Sequence, residues 1–479
     1  MKNDLFLCVD IGQSRLKIAI YNSKLKPLHE NSTELETIQV KNGYAERDMN
    51  YLWKQFYNIT KKVLVKNKFF QKNLSYICIT GHGDGLFPID KNGIPVRNAI
   101  ISIDTRARNL SDQFNKKHKK ILLKYIGQLT TANNPAMIIK WLIKNEKNAI
   151  KKSRWFLYCK DWINYKLTGR ISTDFSSASA GLTNVKNGKY DDKIFKMYGF
   201  SKFKEKFPNI EASNSTKGLL SRALKKQFLL SKDVKVLEGL HDISAAMIGM
   251  NSLNENKLLL IGGTFGISQI LSDKMIINEN ILCRTSFNKK KWLHVAFTPS
   301  CASSIDWMLD ILNLKIPNLN TIITNKLRNG GNNIIFVPYL YGGQTGRTGY
   351  GKFNYIMGGH KSEDLILSTI EGVVFSLANQ ILFLNKYFKI KEIIATGGIF
   401  KIKIISQLLA NITNKKIYLY DNTEAGVLGC AITCLSSLNN DYIENNKLIL
   451  KKKLITRPNK FMSKYLERKY KIFLKEENR

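Results

Sequence analysis

Near the start of the chain, apolar positions come in short runs separated by polar and small residues. Leu5 to Val9 reads as a strand, Asp10 to Arg15 (DIGQSR) as a glycine-containing turn, and Leu16 to Tyr21 as a second strand. Asn22-Ser23-Lys24 then turns the chain into a more polar third strand. The pattern returns at Lys257 to Ile261, Gly262 to Gly266 (GGTFG) and Ile267 to Leu271, with the next turn at Ser272-Asp273-Lys274. Two apolar hairpins, each closed by small residues and about one domain apart, predict a duplicated architecture with one hairpin per domain. Behind Ser362-Glu363-Asp364, which offer an N-cap and an acidic first turn, a long apolar helix is predicted from Leu365 to Leu384. Further helices are predicted from near Lys403 and from about Ala425 to Leu435. The tail from Lys447 is strongly basic. Met462, Tyr465, Leu466, Tyr470 and Phe473 give it a helical stripe, read as a terminal helix docked on the body.

Length and composition fit two α/β domains. The chain has 479 residues, of which 44% are hydrophobic, enough to fill two cores. The boundary is placed at residues 244–256, giving domains 1–248 and 249–479. No apolar run is read as reaching the roughly 18 residues of a membrane span. The first apolar run, Leu5 to Val9, stops at Asp10 and is too short for a signal peptide. The seven cysteines are scattered without metal-ligand spacing, and Cys430 and Cys434 read as small buried residues. A reducing cytoplasm is expected. The formal charge of +38 is spread along the chain among many Asn and Ile. No RNP motif, zinc finger or basic zipper accompanies it, so the lysines read as a solvated surface. No specific nucleic acid and no membrane is expected as partner, and a homodimer stays open.

Three clusters can carry chemistry. The two hairpin turns expose backbone N–H groups that suit phosphate oxygens. Around them, Gly12, Ser14, Lys17, Gly263 and Thr264 are candidate ligands of a nucleotide, and Asp10 could hold Mg2+, directly or through water. Gly397 and Gly398, between a short strand and a helix, could floor an adenine ring. The alternative is a pair of ordinary hairpins with a capping Asp. In Glu238-Gly239-Leu240-His241-Asp242, the last residue follows a strand and opens the small-residue helix ISAAMIGM. Asp242 is there either a helix cap or a general base toward a hydroxyl, with His241 a rival base. In Gly81-His82-Gly83-Asp84-Gly85, glycines alternate with two polar side chains that could bond sugar hydroxyls.

The collinear segments DIGQSRLK, GYAERDMNYLW, ITGHGDGLFPIDKNGIPVRNAIISIDTRA, KDWINYKLTG, STDFSSASAGL, EGLHDISAAMIG, IGGTFGIS, ATGGIFKIKIISQLLANI and EAGVLGCAI together resemble the FGGY carbohydrate kinases. The resemblance covers nearly the whole chain. It implies two ribonuclease-H-like domains of the actin, sugar-kinase and Hsp70 superfamily, with ATP, Mg2+ and a sugar or polyol in the cleft between them. It places Asp242 as catalytic base, Asp10 near the metal and phosphates, and His82, Gly83, Asp84, Asp104 and Arg106 at the sugar. Gly12, Ser14, Lys17, Gly263, Thr264, Gly397 and Gly398 fall on nucleotide positions. Within the family, GYAERDM, the string through SIDTRA and PYLYGG are most similar to L-xylulose/3-keto-L-gulonate kinases, with erythritol kinase-like members next. The chain departs from the family pattern at Gln13, His82, Ile402, Asn411 and GGQTG (342–346). A catalytically degenerate sugar-binding relative is the alternative reading.

Overall fold

The computed structural model describes residues 4–287, 290–340, 342–343, 349–420, 424–438, 452–460 and 462–477. Its frame is two seven-stranded sheets. In the first, Leu5–Ile11 runs antiparallel to Arg15–Asn22, which pairs with Pro27–Glu34. On its other side Leu5–Ile11 is parallel to Leu74–Gly81, and that strand to Lys235–Leu237. In the second sheet, Lys257–Gly262 is antiparallel to Gly266–Ser272, which pairs with Trp292–Thr298. Lys257–Gly262 is also parallel to Glu392–Thr396, which is parallel to Lys416–Tyr420. Numbered within each half, these five strands stand in the order 3-2-1-4-5 both times. The duplication predicted from two hairpins therefore extends to the whole sheet.

Burial follows position in the sheet. Leu5–Ile11 is central and almost wholly buried, as expected of a strand covered on both faces. Pro27–Glu34 lies at the edge and is mostly exposed; its Pro27, Glu30 and Glu34 discourage further pairing. Between Leu74–Gly81 and Lys235–Leu237 the chain builds a helical lobe with its own core, including Phe114, Leu122, Ile139, Phe195 and Phe200.

In each half the fifth strand of the sheet is followed by a helix, Asp242–Gly249 in the first and Ala425–Leu438 in the second. These two helices cross at the centre of the molecule. A Cβ on Gly249 would lie 2.1 Å from the Ala425 carbonyl oxygen, and one on Gly429 2.0 Å from that of Ala245. Small residues at a four-residue spacing on both helices let the backbones meet, reciprocally. Around the crossing, residues of both halves share one core, among them Phe6, Cys8, Leu259, Ile394, Cys430 and Cys434. All seven cysteines are free and buried.

Two expectations change. By length and composition the Ser362–Asn385 helix is long and apolar enough to cross a membrane, so the chain does contain such a segment. In the structure most of it is buried in the core of the second half, with Glu371 in its middle paired to Lys469. Its cap also shifts by one residue: Lys361 precedes the helix, and the Asp364 carboxylate accepts the Lys361 N–H at 3.0 Å. The Ser463–Glu477 helix docks as expected. Leu466 and Phe473 are buried in the second core, worth about 1.5–3 kcal/mol each.

Candidate active site

Asp10 stands level with Thr80 in the parallel register of the first sheet, and His241 level with Gly81. Asp10, His82 and Asp242 thus leave the sheet at one edge, the carboxyl ends of parallel strands, where open α/β sheets bind ligands. The Thr80 hydroxyl donates to the Leu240 carbonyl at 2.8 Å and the His82 N–H to that of Ile11 at 2.9 Å, fixing the three strand ends together.

Asp242 is the first residue of its helix, and His241 is the capping position. Asp242 Oδ1 accepts the Ile243 N–H at 2.7 Å and lies 2.7 Å from His241 Nδ1, while 36% of the side chain stays exposed. Burial pushes this carboxyl up, but the neighbouring His241 ring with its hydrogen bond, His82 and the Ile243 N–H together outweigh it and hold Asp242 below the ordinary carboxylate range. Asp10 goes the other way. Burial first, and then the charge of Asp242, push it up to about 7 against the pull of Lys17. A Cβ on Gly426 would lie 2.5 Å from Asp10 Oδ2, so the second half presses directly on this carboxylate. Two mutually repelling carboxylates, one of them destabilised as an anion, suit a divalent cation. Among the described residues no group of three or more metal-ligating side chains occurs, so such a cation would take its other ligands from phosphate and water.

Asp242 is held from below by buried charge. The His241 N–H donates to Ser176 Oγ at 2.9 Å, and Ser176 in turn donates to Asp174. Lys160 bridges Asp174 at 3.1 Å and Asp161 at 2.6 Å. The KDW and STDFSS segments therefore support the strand that carries Asp242.

In the loop after Gly81, Asp84 has φ +57°, a left-handed conformation that Asp tolerates better than most residues. Its Oδ1 is buried without a hydrogen-bond partner, as are both ring nitrogens of His82. Burial, with the Arg47 charge adding, pushes His82 down to about 3, so the ring is neutral and offers one donor and one acceptor. Buried polar atoms without partners are costly unless a ligand completes them. Gly83 lies against the His241 ring. A Cβ there would fall 1.6 Å from His241 Nε2, so the absent side chain makes space for the His241 ring.

Asp104 and Arg106 are paired with each other. Asp104 accepts the Ala45 N–H at 2.7 Å and both its oxygens bond Arg106, which reaches Glu46 at 2.8 Å and lies over the Tyr44 ring. Both side chains are almost fully buried in this mutual pairing, which braces the loop instead of presenting free groups.

The nucleotide candidates fall in two places. The Gly12 and Gly263 N–H groups donate to the Arg15 and Phe265 carbonyls, closing their own turns, and so are not free for a phosphate. Ser14 is exposed beside the first turn. Thr264 lines a cavity of about 730 Å³ between the halves, with Asp104, Asn133 and Phe265. Lys17, paired with Glu424 at 2.5 Å, lines a second of about 1270 Å³ with Gly397, Gly398 and Tyr420. A Cβ on Gly397 would meet the Gly262 carbonyl oxygen at 2.4 Å, which seats this turn against the second hairpin. Neither cavity has Asp10 or Asp242 in its wall. Ile402 is buried core, and Asn411 bonds Gln407 and Asn459, so neither departure enters the cavity walls. Of GGQTG, Gln344 to Gly346 lie outside the described residues.

Sequence reasoning missed Arg47, whose guanidinium grips the Gln13 carbonyl and so holds the first turn, and Arg284, which reaches the site from the second sheet. Arg47 sits inside the quoted GYAERDM segment; nothing local marks Arg284.

The model of the FGGY family of carbohydrate kinases matches residues 5–249 with its N-terminal domain and 258–438 with its C-terminal domain. The chain belongs to the FGGY family. It is thus a carbohydrate kinase, with the two-domain fold of that family. It is 25% identical to a probable L-xylulose kinase of Haemophilus influenzae over 98% of both chains. It is 23% identical to the L-xylulose/3-keto-L-gulonate kinase of Escherichia coli, over 89% of this chain and 87% of the relative. A ligand-bound xylulose kinase from Lactobacillus acidophilus has the same fold, with a TM-score of 0.90, 21% identity and coverage of 99% of this chain and 98% of the other.

Proposed function

We propose that this kinase transfers the γ-phosphoryl group of ATP to a hydroxyl of a xylulose-like ketose or keto-sugar acid, with Asp242 as general base. What carries the reading is the convergence of Asp242, Asp10 and the His82–Asp84 loop on one sheet edge, where His82 and Asp84 keep buried polar atoms unpartnered. Asp242 takes the proton from the attacking hydroxyl, whose oxygen bonds to the γ-phosphorus as ADP leaves. Its depressed pKa keeps it ionised, and so ready to accept a proton, at neutral pH. Asp10 would hold Mg2+, which neutralises charge on the phosphoryl oxygens. Asp84 Oδ1 and the neutral His82 ring receive the sugar's hydroxyl and carbonyl groups. Lys17, Thr264, Gly397 and Gly398 are the proposed nucleotide contacts, and the free cysteines fit a reducing compartment.

An ADP-release assay with Mg2+ and a panel of ketoses, keto-sugar acids and polyols tests this. L-Xylulose or 3-keto-L-gulonate is expected to be turned over ahead of erythritol and D-xylulose. Turnover of glycerol alone would overturn the substrate class. Sugar binding without turnover of any member would favour the degenerate, sugar-binding alternative.

A further inference from the structure

Arg284 lies on the edge strand Leu282–Thr285 of the second sheet, yet its guanidinium is bonded to the first half. Its Nε donates to Gln128 Oε1 at 3.0 Å, Nη1 meets His241 Nε2 at 3.2 Å, and Nη2 lies 3.5 Å from Asp84 Oδ2. The strand is seated for this. The Cys283 N–H donates to the Gly127 carbonyl, and a Cβ on Gly127 would lie 2.6 Å from the Cys283 carbonyl oxygen. The side chain is 5% exposed.

A guanidinium only donates. Facing it, His241 Nε2 must accept, so the ring proton sits on Nδ1, which is 2.7 Å from Asp242 Oδ1; the Ile243 N–H, 3.4 Å from Nδ1, is taken instead by Asp242 Oδ1 at 2.7 Å. The ring is wedged between Arg284 and the bare Cα of Gly83. We propose that Arg284 is a positioning residue for the phosphoryl transfer: delivered by the second half, it fixes the tautomer and orientation of His241 and, through it, the Asp242 carboxylate. Because its partners belong to the other half, the arrangement is complete only when the halves are together, which ties the readiness of the base to cleft closure.

The inference rests on Asp242 being the base, and its test is a double-mutant cycle that separates the two ideas. Arg284→Met should lower kcat about 10- to 100-fold, the scale of a small misplacement of a catalytic group, with the KM for ATP within about twofold. In a His241→Gln background the same substitution should cost almost nothing more, since its effect passes through the ring. A merely structural Arg284 would give losses that multiply across the cycle and a KM for ATP that rises in step; either outcome overturns the proposal. Thermal unfolding is followed in parallel. If Arg284→Met does not fold, Gln128→Leu, which removes one anchor of the guanidinium, should give a smaller loss of kcat that also vanishes in the His241→Gln background. Wild-type protein that phosphorylates no sugar overturns the kinase reading and this inference with it; an active wild type with multiplying losses overturns the inference alone.

Discussion

In the first half, the strand entering the turn ends Val9-Asp10-Ile11, and the helix after the fifth strand of the sheet begins with Asp242. In the second half, the matching strand ends Leu260-Ile261-Gly262, and the matching helix begins Ala425-Gly426. One framework has been given charge in one copy and small neutral residues in the other. A group that must take a proton needs a titratable side chain at a fixed place; a surface that approaches polyphosphate needs bare backbone and hydroxyls, for which Thr264, Gly397 and Gly398 are the proposed contacts. The copies are not independent, since Gly426 of the second presses on Asp10 of the first and Arg284 reaches His241. On the proposed function, the contrast would put the proton acceptor in the first half, and the nucleotide would be met by both, through Asp10 and Lys17 on one side and Thr264, Gly397 and Gly398 on the other.

The sharpest way to break this contrast is Asp242→Asn. The substitution keeps shape and leaves the helix start intact, so thermal unfolding should be nearly unchanged while kcat falls roughly 100- to 10,000-fold. Retention of more than about a tenth of wild-type turnover would falsify the assignment of the base. A second substitution tests how the copies are joined. Gly429→Val places a side chain against the Ala245 carbonyl oxygen, which is backbone and cannot rotate away. Denaturant unfolding should show a loss of about 1–3 kcal/mol. Gly358→Ala meets nothing within 4 Å and is the control expected to leave stability unchanged. Equal effects from both would mean that the crossing helices yield easily.

Much of this frame is legible in the sequence because it is written in local pattern. Short continuous apolar runs locate Leu5–Ile11 and Lys257–Gly262, and the small residues between strands locate both turns. Asp10 and Asp242 stand out because they sit where a strand ends. What stays hidden depends on distant partners. Arg284 and Gln128 are 156 positions apart, and neither segment carries a mark of the other. A sequence cannot show that the His241 ring fills the space beside Gly83. Asp104 and Arg106 lie two apart; only the fold shows them neutralising each other. The Ser362–Asn385 helix is legible, but not its suitability in length and apolarity for a membrane, because Glu371 interrupts the run; the structure pairs that charge with Lys469 from the basic tail.

The smallest expected effect concerns pH. Asp242 is held below its ordinary range although burial alone would raise it, and the opposing influence is chiefly the His241 ring. A carboxylate whose folded pKa lies below its unfolded one adds stability above about pH 4 that is lost as pH falls through the folded value. In the reaction the same sign means that the base stays ionised across the neutral and mildly acidic range. Asp10, raised to about 7, would add its own limb to a profile measured on the cation-free protein, so the measurement belongs at saturating Mg2+ and ATP. There, the wild-type kcat profile should be flat from about pH 8 down to about pH 5 as far as this group is concerned. The informative variant is His241→Gln, which keeps a polar side chain but removes the ring. With only His82 and the Ile243 N–H left to oppose burial, the Asp242 pKa rises and the acid limb should move up toward the measured range, lowering the ratio of rates at about pH 5 and about pH 8 a few-fold. An unchanged ratio in this variant would show that His241 does not set the ionisation of Asp242, and that the charged half of the molecule holds its base by burial and backbone alone.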